Sequence, residues 1–187
     1  MEYSNTLSSP KFKKLFEELP SDKYVLKYSN YFEVYDDHFN KFLSYDKVRV
    51  LEIGLLDGGS IELWKKYFGD KLEFYGIDIN PICKSYEDEN VSIHIGSQSD
   101  ENFLDSFIKS VPSFDIVIDD GGHTMKQQIT SFNHLFKHLK DQGVYLCEDT
   151  HTSYSFPYGG GLKRKSNFIE FSKGFIDKLY SWHDNKN

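Results

Sequence analysis

From Val48 onward the chain alternates short apolar runs with amphipathic stretches, and this alternation restricts its fold more than any other feature. Residues 48–53, 72–77, 91–95, 114–118 and 144–147 read as strands, the last introduced by Gly143. Residues 60–68, 102–110 and 125–139 carry apolar side chains at helical spacing, the last with Ile129, Phe132, Leu135, Phe136 and Leu139 turned inward. Strands separated by crossover helices lie parallel, with helices on both faces. The expected architecture is therefore α/β, a doubly wound, mostly parallel sheet.

In front of it, residues 1–46 read as an N-terminal helical segment, attached to a domain of residues 47–187 in one globular unit. Phe12, Leu15, Phe16 and Leu19 repeat at helical spacing and Pro20 ends that helix. A second helix is expected over 28–43, with Tyr28, Tyr31, Tyr35, Phe39 and Phe42 as a core-facing stripe. A last helix, over 166–179, follows the loop Gly159-Gly160-Gly161. A chain of 187 residues, 39% hydrophobic and 17% aromatic, is long enough to bury one core.

The formal net charge of −7 argues against nonspecific nucleic-acid binding, which needs a basic face. No apolar run approaches the roughly 20 residues that span a bilayer, and the N-terminus lacks the apolar segment of a signal peptide. Cys83 and Cys147 have no metal-ligand spacing. A reduced, cytoplasmic setting is the expectation.

Two apolar runs end in charge: Asp119-Asp120-Gly121-Gly122-His123 after the fourth, Glu148-Asp149 after the fifth. Buried charge is costly unless it is paired or binds a metal, and the carboxyl ends of strands are where open α/β sheets bind ligands. Asp120, Glu148 and Asp149 offer only hard oxygen donors, which suit magnesium or a similar divalent ion and disfavour zinc. Such an ion can be chelated by two neighbouring sugar hydroxyls and acidify one of them. His123, expected at the start of the next helix, is the candidate general base; the alternative is a helix-start residue packed on a loop. Asp119 reads as structural or cofactor-side.

The first strand runs into a turn of the form Glu52-x-Gly54-x-x-x-Gly58-Gly59-Ser60. Glycines there let a ligand approach the backbone, and the following helix start offers free N–H groups. The dinucleotide spacing Gly-x-Gly-x-x-Gly is absent, which disfavours a nicotinamide-dependent oxidoreductase. Asp78 ends the second strand, where a carboxylate can accept from both hydroxyls of a ribose. The third runs into Gly96-Ser97-Gln98-Ser99-Asp100. Asp100 either belongs to that turn or caps the helix starting near Asn102.

The turn from Glu52 to Ser60 resembles the nucleoside-binding turn of class I S-adenosylmethionine (SAM)-dependent methyltransferases. Asp119 to His123, the stretch Glu148-Asp149-Thr150-His151-Thr152-Ser153-Tyr154 and the glycine run together resemble the metal-dependent sugar O-methyltransferases of the macrocin and mycinamicin type. The likeness covers about residues 21–182, and Ser21-Asp22-Lys23 is similar to the family's Thr-Asp-Lys; the Gly122 position is commonly serine there.

The resemblance implies a Rossmann-like fold with SAM held by Glu52, Gly54, Gly58, Ser60, Asp78, Gln98 and Asp119. It implies Mg2+ or a similar ion on Asp120, Glu148 and Asp149, His123 as the catalytic base, and His151 and Tyr154 along the acceptor pocket. The acceptor would be a sugar hydroxyl, on a nucleotide sugar or a glycan precursor, in bacterial polysaccharide, capsule or natural-product biosynthesis. A catechol or phenolic acceptor, and a SAM-binding module without turnover, remain open. Lys163-Arg164-Lys165 either bind the phosphates of a nucleotide sugar or form a solvated charge run. Class I methyltransferases usually add two further strands, the last antiparallel. No strand signal follows residue 147, so those strands are expected to be missing, and the uncovered sheet edge leads to the expectation of a homo-oligomer.

Overall fold

A computed structural model describes residues 11–20 and 24–181 of the chain. Ser21-Asp22-Lys23 and the residues from Trp182 on lie outside the described residues. Five parallel strands, β1 (Val48–Ile53), β2 (Leu72–Asp78), β3 (Val91–Ile95), β4 (Phe114–Asp119) and β5 (Leu139–Cys147), form one sheet in the order β3-β2-β1-β4-β5. The helices are α1 (Lys11–Glu17), α2 (Tyr31–Phe39), α3 (Gly59–Phe68), α4 (Glu101–Ser110), α5 (Met125–Leu135) and α6 (Phe168–Tyr180). The doubly wound α/β fold read from the alternation is the fold observed.

The two-residue period of a strand distributes β1 between two cores. Val48 and Val50 pack with Phe12, Phe32, Tyr35, Phe39 and Trp64 from α1, α2 and α3. Leu51 and Ile53 pack on the other face with Leu104, Phe107 and Leu135 from α4 and α5. Helices α1 and α2 thus share a core with the sheet. Trp64 is fully buried, with Phe12, Tyr35 and Phe39 rings 4.9–5.7 Å from its own. Trp64→Ala is expected to lower stability by about 3–5 kcal/mol, read as a lower urea midpoint at constant slope; a loss under about 1 kcal/mol would show that this cluster closes over the gap.

Strand register builds the ligand edge. Ile53 lies opposite Asp119, and Asp119 opposite Cys147. One residue on, Asp120 N donates to Ile53 O at 3.0 Å and Glu148 N to Asp119 O at 2.9 Å. Gly54, Asp120 and Glu148 therefore leave the sheet side by side. The strand order reverses between β1 and β4, which is where open α/β sheets leave a crevice.

Several element boundaries differ from expectation. Over 28–43, regular helix covers only α2, followed by a tight helical turn over Asn40–Ser44, and residues 24–30 form an irregular strap. Tyr28 is consequently exposed rather than part of the core stripe, while Phe32 takes a buried place. The helix expected over 125–139 ends at Leu135; Leu139 pairs with Phe114 and opens β5, and Phe136 faces outward, half exposed. The periodicity did not show this because Gln142, at φ 65°, and the register shift beside Phe114 let the chain turn into the sheet without a break in apolar spacing. Asp100 caps α4, accepting from Asn102 N at 3.0 Å and Phe103 N at 3.2 Å, so the capping alternative holds.

Candidate active site

A cavity of about 520 Å³ opens at the switch point, within the size range of small-molecule sites. Its walls include Gly54, Ser60, Asp78 and Gln98 on one side and Asp120, His123 and Asp149 on the other, with the strap from Tyr24 to Lys27 across it. Most of the residues singled out from the sequence thus meet in one place. Glu52, Gly58, Asp119 and Glu148 stand behind this wall, and His151 and Tyr154 are exposed beyond it, 61% (side chain) and 54% accessible.

The β1 end of the cavity is a turn of unusual backbone. Gly54 has φ +86° and Gly58 φ +73°. A Cβ on Gly54 would stand 2.2 Å from the carbonyl oxygen of Asp120, so only glycine lets the two strand ends pass this closely. Asp78 fixes the turn: Leu55 N donates to its Oδ2 and Asn80 N to its Oδ1, both at 2.8 Å. Each carboxylate oxygen keeps a lone pair for a further donor from the cavity. Glu52 is fully buried and accepts from Ser60 Oγ at 2.8 Å and Trp64 Nε1 at 3.1 Å. It shapes the turn from within instead of facing the cavity. Burial pushes its carboxyl up to about 7, against the lowering pull of Lys27.

Gln98 lines the cavity, but its amide is spent on the protein. Its Nε2 donates to Asp119 Oδ1 and Ser131 Oγ at 2.8 and 2.9 Å, and its Oε1 accepts from Gly122 N at 2.8 Å. Gln98 thereby ties the β3 turn to the loop after β4. Asp119 is buried, bonded to Gln98 and Tyr145, and burial raises its carboxyl above the usual range.

At the other end, Asp120, His123 and Asp149 each bring one ligand atom within 4.8 Å of the others. His123 Nε2 is 3.5 Å from Asp149 Oδ2 and 3.9 Å from Asp120 Oδ1. His123 sits in a loop at φ 56°, and Asp149 has φ 52°. Non-glycine residues in this region are uncommon and concentrate where function constrains the backbone. The hydroxyl of Thr152 lies 2.9 Å from the carbonyl oxygens of both residues and braces the two strained loops together. The helix after His123 starts two residues later, at Met125, where Thr124 as N-cap and Gln127 form a capping box. Two carboxylates and an imidazole at this separation fit a divalent cation, and the buried His123 Nδ1 has no hydrogen-bond partner among the described residues.

Three residues of the site were not singled out as functional by sequence reasoning: Lys27, Tyr31 and Tyr35. Tyr31 OH donates to Asp149 Oδ1 at 3.0 Å and Tyr35 OH to Glu148 Oε1 at 2.6 Å. Lys27, 2% exposed, bonds Asp120 Oδ2 and, at 2.9 Å, Glu148 Oε1. Burial opposes its charge, but Glu148, Glu52 and Asp120 outweigh that and hold the ammonium protonated. Glu148 is raised by burial, and its Oε1 is engaged by Lys27 and Tyr35 instead of joining the cluster of Asp120, His123 and Asp149. The tyrosines repeat every four residues, which the helical pattern alone reads as core. A lysine in a loop carries no local signal of burial.

No protein-family model matches the chain. Curated relatives include the demethylmacrocin O-methyltransferase of Streptomyces fradiae, 39% identical over 155 residues, which span 78% of this chain and 38% of that protein. The mycinamicin VI 2''-O-methyltransferase of Micromonospora griseorubida is 40% identical over 134 residues, 67% of this chain and 33% of the relative. The MycE methyltransferase of the mycinamycin biosynthetic pathway, solved in complex with Mg and SAH, superposes with a TM-score of 0.80 at 31% identity, covering 90% of this chain and 45% of that one. The chain spans less than half the length of the curated relatives it matches. By sequence and by architecture, the chain is a homologue of the macrocin- and mycinamicin-type sugar O-methyltransferases and has the class I methyltransferase fold.

Proposed function

We propose that this chain carries a SAM-dependent, divalent-metal-dependent O-methyltransferase activity toward a sugar hydroxyl. The observation that carries the reading is the convergence of Asp120, His123 and Asp149 at one end of a cavity whose other end is the Gly54 turn and Asp78. Relatives named for sugar O-methylation support it, as do MycE structures holding Mg and SAH.

Asp78 accepts from the ribose hydroxyls, and the Gly54–Ser60 turn lets the methionine part of the donor approach the backbone. Gly58, at the start of α3, and Gln98 and Asp119, behind the loop after β4, hold that wall in place. Asp120 and Asp149, with Glu148 behind them, hold a hard divalent ion, which would supply orientation and acidification of a coordinated hydroxyl. The acceptor oxygen then forms a bond to the methyl carbon as the carbon–sulfur bond breaks, its electron pair staying on sulfur to leave SAH. The acceptor proton passes to His123, whose Nε2 faces the carboxylates. A hard ion prefers oxygen over imidazole, which favours His123 as base over His123 as ligand. His151 and Tyr154, exposed beyond the cavity wall, are the residues we assign to acceptor contact.

Finer parts of the reading rest on less. Lys163, Arg164 and Lys165 are exposed before α6, as a solvated charge run would be, and the relatives named for natural products favour a natural-product acceptor over a nucleotide sugar on a route to a bacterial polysaccharide or capsule. β5 has a strand neighbour on one side among the described residues, which supports self-association. Cys83 and Cys147 are free thiols, in keeping with a reducing cytoplasmic setting. The shared core of α1, α2 and the sheet supports residues 1–46 and 47–187 acting as one unit.

The test is methyl transfer from SAM to a panel of glycosylated natural products, nucleotide sugars and catechols, with and without EDTA. Turnover on a sugar acceptor should fall at least 100-fold in EDTA and return with Mg2+, while SAM binding persists. Full turnover in chelator removes the metal role; turnover on catechols alone removes the sugar.

A further inference from the structure

The acidic centre contains a cation of its own. Four carboxylates, those of Glu52, Asp120, Glu148 and Asp149, approach one another at the ends of β1, β4 and β5. Lys27 reaches in from the strap, its side chain 2% exposed, with Nζ against Asp120 Oδ2, 2.9 Å from Glu148 Oε1 and 3.7 Å from Glu52 Oε1. A lysine buried this far stays charged only where carboxylates repay its lost hydration, as Glu148, Glu52 and Asp120 do here. The two carboxylates it holds most closely are two of the three expected to serve a divalent ion.

We propose that Lys27 is a tethered counter-cation that competes with the divalent ion for the negative charge of Asp120 and Glu148, and so sets the metal affinity of the centre. The inference rests on the metal-binding reading above. Lys27 holds Asp120 by Oδ2, while Oδ1 is the oxygen 3.9 Å from His123 Nε2, so the ammonium and the ion would share carboxylates; two cations a few ångströms apart in a shielded site repel strongly. Both cannot take Asp120 and Glu148 fully.

The structure also provides somewhere for the ammonium to go. Glu52 Oε1 is fully buried, has no hydrogen-bond partner and lies at 3.7 Å from Nζ. A rotation of the lysine end away from Asp120 and Glu148 would satisfy that orphaned oxygen. The strap itself need not move. Tyr24 and Val25 are seated on α3, so closely that a Cβ on Gly59 would meet Val25 Cγ2 at 2.4 Å and Tyr24 O at 2.6 Å. Tyr31 and Tyr35 meanwhile hold Asp149 and Glu148 through uncharged hydroxyls, which add no cation to the centre.

Titrating Mg2+ into wild type, Lys27→Gln and Lys27→Arg by calorimetry tests this. Glutamine keeps a donor for the carboxylates but removes the charge, and should bind Mg2+ at least tenfold more tightly. Arginine keeps the charge and forks across two carboxylates, and should bind at least threefold more weakly. Unchanged or weaker binding in Lys27→Gln overturns the proposal, and so does tighter binding in Lys27→Arg, which remains informative if the glutamine variant does not fold. No Mg2+ binding by the wild type is a different result: it removes the metal-binding reading itself, and the role of Lys27 with it.

Discussion

His123→Asn is expected to lower methyl transfer by about 10²–10⁴-fold, the usual contribution of a positioned general base, while SAM affinity stays within about twofold of wild type. Asparagine is the informative replacement because residue 123 sits at φ 56°, a region that asparagine tolerates better than alanine does. It removes the proton acceptor without forcing the loop braced by Thr152 to change course. Donor binding depends on the opposite end of the cavity, at Gly54 and Asp78, and should not register the change. Measuring SAH release with the acceptor found in the screen, alongside SAM binding by calorimetry, separates the two effects. Turnover within tenfold of wild type would show that the acceptor hydroxyl loses its proton elsewhere. Lost Mg2+ affinity in the same variant would instead make His123 a ligand.

Gly54→Ala should be the most damaging small change at the donor end. Alanine at φ +86° pays about 1–2 kcal/mol for the left-handed backbone. Its Cβ would also lie 2.2 Å from Asp120 O and 2.8 Å from Gly121 Cα, which are backbone atoms that cannot swing away. β1 and the loop after β4 must therefore separate, and this loop carries both Asp120 and His123. The expected outcome is a lower melting temperature together with at least tenfold weaker binding of both SAM and Mg2+, read by thermal denaturation and calorimetry. Gly58→Ala is the control. Its Cβ would meet the Tyr86 ring at 3.0 Å, a side chain able to shift, so its effect should be smaller. Equal effects at the two positions would show that the turn, and not the contact between strand ends, governs the site.

Much of this arrangement was legible in local pattern. The apolar runs 48–53 and 114–118, followed by glycine and acid, marked strands ending in a polar crevice. Asp120, His123, Glu148 and Asp149 stood out because charge directly after an apolar run has to be explained by pairing or binding, and Glu148 is the one of the four that the structure keeps out of the cluster. The less legible parts were those with no local cost. The strap from Tyr24 to Lys27 has no period, and the stripe of Tyr31 and Tyr35 matches a plain core helix until their hydroxyls are seen to reach Asp149 and Glu148. The end of α5 was misplaced because apolar spacing continued across the turn into β5.

The sequence by itself determined the class of fold and which carboxylates and histidine lie at strand ends, because side-chain periodicity and strand-end chemistry are properties of neighbouring residues. Only the tertiary structure decided how the charges are shared. Lys27 reaches Asp120 and Glu148 across 93 and 121 residues of chain, and such a pairing leaves no trace in local spacing. It exists because parallel register brings three strand ends abreast, and the buried carboxylates gathered there draw in the nearest cation that the fold can supply.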